Sequence, residues 1–447
     1  MQRHILSRNG LLAVAVLLAG ICAPCAHADS FHYRNLLIGD RATGFGGAYA
    51  ALSDDAAGLH YNPAGTVYSK ELASATVNVL SISNVEFEDF FPDGGSLEVT
   101  SSGLVPSYFG ILRHIGTGTI GFSITVSDFL SDRQSDRGSF DVGTAHVDQF
   151  LTGDSDYRHY NIGPSFAQAL NQNWSWGVSL FGTYRDEREA RSIGGDATKP
   201  GAEAGSTDRL YVLTSYRIED TQIGVRPQLG LQYRNGTFKA GWTVSRDFAL
   251  SRDYDYFYRS VRNLTTISAD GSEELVDYLD ASADSKSSEK QAHPWQFSLG
   301  LAMDLTPSWT VSVQVDQYLS VDDDIVAGAD GASPPVTRQF DAVTNWSIGS
   351  EWRLSDRVGL RMALYTDNAN LDAEDAGAFE RRESVDLLGG ALSASYRDDT
   401  RTYKLGFYFS SGDGHGTLGD LGELNFGGQS VVDINATNFT LIFGATL

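Results

Sequence analysis

Trp295-Gln296-Phe297-Ser298-Leu299-Gly300-Leu301-Ala302-Met303-Asp304-Leu305 puts a large apolar side chain at every odd position and a small or polar one at every even position. Successive side chains leave opposite faces of a β-strand, so this period of two predicts a strand with one greasy face and one wet face. The pattern returns in Trp309, Val311, Val313 and Val315 against Thr310, Ser312, Gln314 and Asp316. It returns again in Ile223, Val225, Leu229, Leu231 and Tyr233 against Gln222, Arg226, Gln228 and Gln232.

Two architectures use such strands. A soluble sandwich turns the apolar face inward, and a membrane barrel turns it outward. Connection lengths favour the barrel. Long connections over 91–104, 130–155, 186–221, 249–292, 321–341, 367–384 and 412–430 alternate with short ones at 116–118, 171–173, 235–236, 307–308, 355–357 and 398–400. Short inner turns and long outer loops mark an outer-membrane barrel, and seven long loops give fourteen strands, an even number as bacterial barrels require. The expected fold class is all-β: a 14-stranded antiparallel transmembrane β-barrel. Residues 208–219 look like a further strand; parity makes them an extension of the sixth strand or part of the third external loop. All seven tryptophans, Trp174, Trp176, Trp242, Trp295, Trp309, Trp346 and Trp352, fall in or beside strands, where interfacial girdles sit. Phe439, Leu441 and Phe443 lead to the terminal Leu447 in a pattern that resembles the signal read by the barrel assembly machinery, with leucine in place of the usual aromatic.

The remaining chain fits export to that membrane. Arg3 and Arg8 precede the apolar run Leu11–Ile21 and Ala26-His27-Ala28, the layout of a signal peptide over residues 1–28. Its removal takes away Arg3 and Arg8 and no acids, so the net charge of -24 becomes -26, which excludes nucleic acid as a partner. Cys22 and Cys25 leave with it, so no disulfide or thiol chemistry is expected. No apolar stretch after residue 28 is long enough for a helical span.

Residues 29–70 lack the alternation of a spanning strand and are expected in the periplasm or inside a barrel that spans 71–447, its first strand beginning near Glu71. Gly44-Phe45-Gly46-Gly47 has neither a preceding strand nor a following Lys-Ser/Thr, so it is not a nucleotide loop. Ala50-Ala51-Leu52-Ser53-Asp54-Asp55-Ala56 followed by Asn62-Pro63-Ala64-Gly65, directly before the first strand, resembles the FadL/TodX-type outer-membrane transporters of long-chain fatty acids and other hydrophobic compounds. The run Gly224-Val225-Arg226-Pro227-Gln228-Leu229-Gly230 adds a weaker likeness. The resemblance implies a small helical hatch over residues 29–70 that plugs the lumen, in a monomer in contact with outer-membrane lipid and lipopolysaccharide. Its hydrophobic ligand, a fatty acid or hydrocarbon, is captured by external loops, enters a hatch-plugged lumen and leaves sideways through a kinked third strand. That strand corresponds to residues 119–129, with Gly118 and Gly121 able to loosen it.

For a carboxylate head, alternation points Arg226 and Arg361 into the lumen, with Lys239 and Lys404 nearer strand ends and Phe181, Tyr365 and Tyr408 on the same face. Pairing of such cations with lumen acids such as Asp304 and Asp316 is the plainer alternative. Tyr256, Phe257 and Tyr258, with Leu275, Val276, Tyr278 and Leu279, give the fourth external loop apolar groups that either bind ligand or pack on the third loop. No histidine stands in a nucleophile setting, so no enzyme and no cofactor are expected. The acid runs at 322–324 and 413–415 lack calcium-loop spacing. A general porin and an acidic-loop adhesin remain the rivals, and the hatch speaks against the porin.

Overall fold

The computed structural model describes residues 31–70, 72–91, 94–325, 336–371, 382–417 and 431–447; the signal segment and Glu71 lie outside them. The strands in chain order are β1 (Ala73–Phe87), β2 (Leu97–Ile115), β3 (Gly118–Val142), β4 (Ala145–Ala169), β5 (Trp174–Pro200), β6 (Thr207–Asn235), β7 (Phe238–Ser245), β8 (Phe248–Ile267), β9 (Glu273–Ser287) and β10 (Gln296–Thr306). They continue as β11 (Trp309–Tyr318), β12 (Val321–Ile325), β13 (Val336–Phe340), β14 (Val343–Arg353), β15 (Val358–Asp367), β16 (Arg382–Val385), β17 (Leu387–Arg397), β18 (Thr402–Thr417) and β19 (Val432–Thr446). Fourteen of them, β1 to β7, β10, β11, β14, β15 and β17 to β19, follow one another in an antiparallel ring. The ring closes where Val77 of β1 meets Phe443 of β19. Closure leaves no sheet edge to satisfy, as hydrocarbon requires.

The barrel is inside-out relative to a soluble domain. In β10, Leu299 is 54% exposed while Ser298 and Ala302 face inward and are buried. The tryptophans Trp174, Trp242, Trp295, Trp309 and Trp346 are likewise exposed on the outer face. A soluble sandwich would bury this stripe, so the chain is a membrane-spanning barrel.

The long connections are mostly not loops. β3 and β4 run on until they meet at Gly143, β5 and β6 until residues 201–206, and β8 and β9 form a hairpin laid along β6. Above the lipid both faces meet water or protein, so the apolar contrast fades while the backbone ladder continues. Residues 208–219 therefore belong to β6, which pairs without interruption from Thr207 to Tyr233 along β5. The third strand is also longer than 119–129. Between the walls of these extensions, Phe87, Leu97, Leu151, Ile193, Val385 and Ile434 form an apolar core above the lumen.

The hatch, residues 31–70, fills the barrel below. A short helix over Asp40–Gly44, another over Gly58–Tyr61 and a 3-10 turn over Pro63–Tyr68 carry it. Its small residues allow close approach, and the wall supplies glycines to meet them. A Cβ on Gly241 would strike the Ala50 carbonyl, and one on Gly349 would come within 2.6 Å of the Phe45 Cα. Gly241→Val should therefore cost about 1–3 kcal/mol in hatch docking. The barrel is expected to keep its heat-modifiable migration on gels while trypsin begins to cut at Arg41; a hatch as resistant as the wild type would contradict this packing.

Candidate functional site

Polar side chains from the inner faces of the strands hold the hatch by its backbone and its charges. Gln314 of β11 accepts hydrogen bonds from the Tyr49 and Ala50 amides at 2.9 and 2.8 Å. Ser175 donates to the Ala64 carbonyl at 2.7 Å, and Gln228 to the His60 carbonyl at 2.9 Å. Lys404 meets Asp40 at 2.8 Å, while Glu351 takes Arg41 at 2.9 Å and Arg361 at 2.6 Å, all largely buried. Arg361 and Lys404 thus stand against the hatch as its anchors and do not border the chamber described next. Lys239 is paired with Asp304 at 3.0 Å. A lumen cation in a low dielectric takes a carboxylate partner wherever one is in reach, and the hatch supplies Asp40 and Asp54.

Asn62 is the keystone of the hatch turn. Its side chain is fully buried, donates to the Ala50 carbonyl at 2.9 Å and to the Leu231 carbonyl at 3.2 Å, and accepts from the Ala64 amide at 3.1 Å. Pro63 follows at the first position of the 3-10 turn, where no N–H is needed. Ala64 and Gly65 fill the space beneath β5 and β6, Gly65 lying against Gln232 and Ser53.

Above this turn lies a chamber of about 180 Å3. Arg34 of the hatch lead, Arg185 of β5, Arg226 of β6 and Arg246 border it, with Asp128, Asp247 and Asp316, the tyrosines Tyr33, Tyr157 and Tyr318, and His60, His159 and His293. Arg226 gives hydrogen bonds to Asp247 at 3.3 Å and to Ser245 at 3.0 Å, and Arg34 meets Asp316 at 3.1 Å. Burial drives the Asp247 carboxyl upward, but Arg226 and the neighbouring cationic groups outweigh it and hold it well below the usual range. Burial, reinforced by Arg185, pushes the His293 imidazole down to about 3, so it is neutral at physiological pH. The positive charge of the chamber is carried by guanidinium groups.

One side of the chamber is a fault in the wall. β2 and β3 are paired up to Tyr108 and Thr125 and again at Ser101 and Asp132, with no ladder between 102–107 and 126–131. At about 3.3 Å per residue that leaves roughly 20 Å of wall without cross-strand hydrogen bonds. Ser127 is an extra residue relative to β4, where Val126 faces Tyr160 and Asp128 faces His159. Pro106 on the facing strand has no N–H to give. β1 slips against β2 at the same height, between Thr76 and Ser81. Side chains fill the fault: Leu36 and Ile38 of the hatch lead, Val105 and Val126 form an apolar cluster against which Phe129 and Tyr160 pack. Asn35 donates to Asp128 at 3.0 Å and ties the hatch lead to the bulge.

The other anticipated residues lie elsewhere. The fault is not at Gly118 or Gly121, which are regularly paired; Gly121 instead gives room to Leu59 of the hatch. Phe181 is buried outside the chamber lining. Tyr365 and Tyr408 pack with Leu37 on the far side of the hatch. Tyr256 is buried with Tyr216, Ile218 and Tyr254, and Tyr258 rests on them, so these groups of β6 and β8 cover one another. Phe257 is half-buried on the opposite face of β8. Leu275, Val276, Tyr278 and Leu279 of β9 stay exposed. Arg185 lies two and four residues from inward Thr183 and Phe181, so the alternation of β5 reaches it, although the apolar contrast fades from residue 186 onward. Arg34 sits in a segment without periodicity, where nothing signals it.

Removing the Asn62 side chain takes this partner from the Ala50 carbonyl and the Ala64 amide of the hatch and from the Leu231 carbonyl of β6, a loss of about 2 kcal/mol. Asn62→Ala should lower hydrogen-exchange protection of amides 58–66 by about thirtyfold in the folded barrel; unchanged protection would remove Asn62 from this role.

Neither a family model nor a curated protein matches the sequence. Solved structures do match its shape. A FadL homologue from Pseudomonas aeruginosa is 11% identical and aligns at a TM-score of 0.57 over 93% of this chain and 99% of its own. The toluene transporter TodX of P. putida is 12% identical, with a TM-score of 0.54 over 91% and 97%. TbuX, a toluene transporter of Ralstonia pickettii, is 14% identical, with a TM-score of 0.54 over 92% and 99%. The closed fourteen-strand ring and these alignments along nearly the whole length together give the chain the outer-membrane barrel fold of the FadL/TodX type.

Proposed function

We propose that this barrel is an outer-membrane channel for the uptake of hydrophobic small molecules, which pass from the chamber sideways into the bilayer through the β2–β3 fault. The observation that carries the reading is the fault itself. It borders the chamber, it is closed by side chains in place of ladder hydrogen bonds, and most of those side chains are apolar, with Ser107 and Asp128 the buried polar ones. Leu104 and Leu80 beside it are exposed on the outer face. A ligand with an apolar body loses little in moving from such a seam to lipid, whereas the hatch below offers it only buried charge and backbone.

The hatch distinguishes this reading from a general porin. A diffusion pore needs a continuous aqueous lumen, and here backbone, ion pairs and the Asn62 turn occupy it. An adhesin would use only the tall extensions and gives no reason for a chamber or a fault. Exposed Leu275, Val276, Tyr278 and Leu279 offer a first apolar contact outside. The solved structures of similar shape are named as channels and transporters, and no catalysis is proposed.

Deleting Ser127 takes out the extra residue of β3 and lets Val126 and Asp128 pair with β4 in one register. Uptake of a radiolabelled hydrophobic probe by cells that depend on this protein should then fall at least tenfold with barrel abundance and heat-modifiability unchanged. Uptake at the wild-type rate would exclude the fault as the exit.

A further inference from the structure

We infer that the chamber is built for a one-ring aromatic carboxylate, its oxygens on Arg185, in preference to a long-chain fatty acid or an uncharged hydrocarbon. This rests on the channel reading above and narrows it to a ligand class.

Size is the first constraint. A cavity of about 150 Å3 holds benzene, and this chamber measures about 180 Å3. On that same scale of about 25 Å3 per heavy atom, benzoate needs roughly 225 Å3 and a sixteen-carbon acid roughly 450 Å3. The ring acid is close to the size of the chamber, and the long chain is more than twice it.

Chemistry is the second. Arg34 and Arg226 are already held by Asp316 and Asp247. Arg185 has, among the described residues, one side-chain hydrogen bond, a long one of 3.4 Å to Gln291, and no carboxylate at ion-pair distance. Arg246 also lacks such an acid, but its guanidinium lies over Phe248 and Trp295 at the rim and its Nε donates to the His293 carbonyl. Among the described residues Arg185 is therefore a chamber cation with donors left for a ligand, and its planar fork matches both oxygens of a carboxylate. A neutral hydrocarbon would leave those donors desolvated and unanswered.

Aromatic surface is the third. Tyr157 lies under the Arg185 guanidinium, 5.9 Å from it to the ring centre, and Tyr33 stacks on Tyr318 at 4.2 Å. These rings border the same chamber and supply faces and edges for another ring.

Titration calorimetry on the purified mature protein in detergent, with benzoate, toluene and hexadecanoate, tests the inference alongside Arg185→Gln and Arg185→Lys. Benzoate should bind the wild type, weaken about ten- to a hundredfold in Arg185→Gln, and weaken less in Arg185→Lys, with heat-modifiability retained in both. Benzoate binding that is indifferent to Arg185→Gln overturns the inference. So does binding of toluene or hexadecanoate without benzoate, which leaves the channel reading standing. Binding of none of the three overturns both.

Discussion

Hydrocarbon gives no hydrogen bonds, and most of this structure follows from that. Every N–H and C=O at membrane depth has to find its partner within the chain, so the strands close into a ring at Val77 and Phe443 and turn their leucines and tryptophans outward. The inner faces are then free to be polar, and that polarity is used to seat the hatch. Gln314, Ser175 and Gln228 bond hatch backbone, and Glu351 gathers Arg41 and Arg361. The same constraint makes the interruption between β2 and β3 informative. A lipid-facing wall that forgoes its ladder over six residues on each strand must close the space with something lipid tolerates, and here Val105, Val126 and Phe129 do so.

In the proposed channel, chamber and fault divide the work of recognition. The chamber is rich in charge and aromatic edges, so it can discriminate by head group and shape. The fault is mostly apolar, so on the proposed route it reads little besides greasiness. A ligand with one charged end and one flat apolar body satisfies both surfaces, which is why the chamber chemistry narrows what the barrel fold alone leaves broad.

Much of this architecture was legible in the sequence, because a barrel wall repeats one simple signal. The alternation from Trp295 to Leu305 fixed the faces, and the spacing of short turns fixed the strand count. Asn62-Pro63 marked the hatch turn. The extracellular parts were not legible as strands, since above the lipid the outer face of β3 to β6 is no longer uniformly apolar and the period of two fades. Arg361 and Lys404 point inward as their alternation says, but a wall pattern carries no information about which lumen cations the hatch will occupy. Asp40 and Arg41 lie in short helices whose register against β14, β15 and β18 only the folded lumen defines. Arg34 and Asn35 have no periodicity at all, and their roles arise from position.

The seat of the hatch has a consequence for biogenesis. Asp40 is gripped by Lys404 of β18 and rests where Gly444 of β19 has no side chain, so its socket comes from the last strands of the chain to emerge. An unfinished ring has no complete socket for Asp40, and this end of the hatch cannot be seated until β18 and β19 are in place. Sealing is in this way tied to completion: the pore is corked by its earliest residues only once its latest ones have been sewn in.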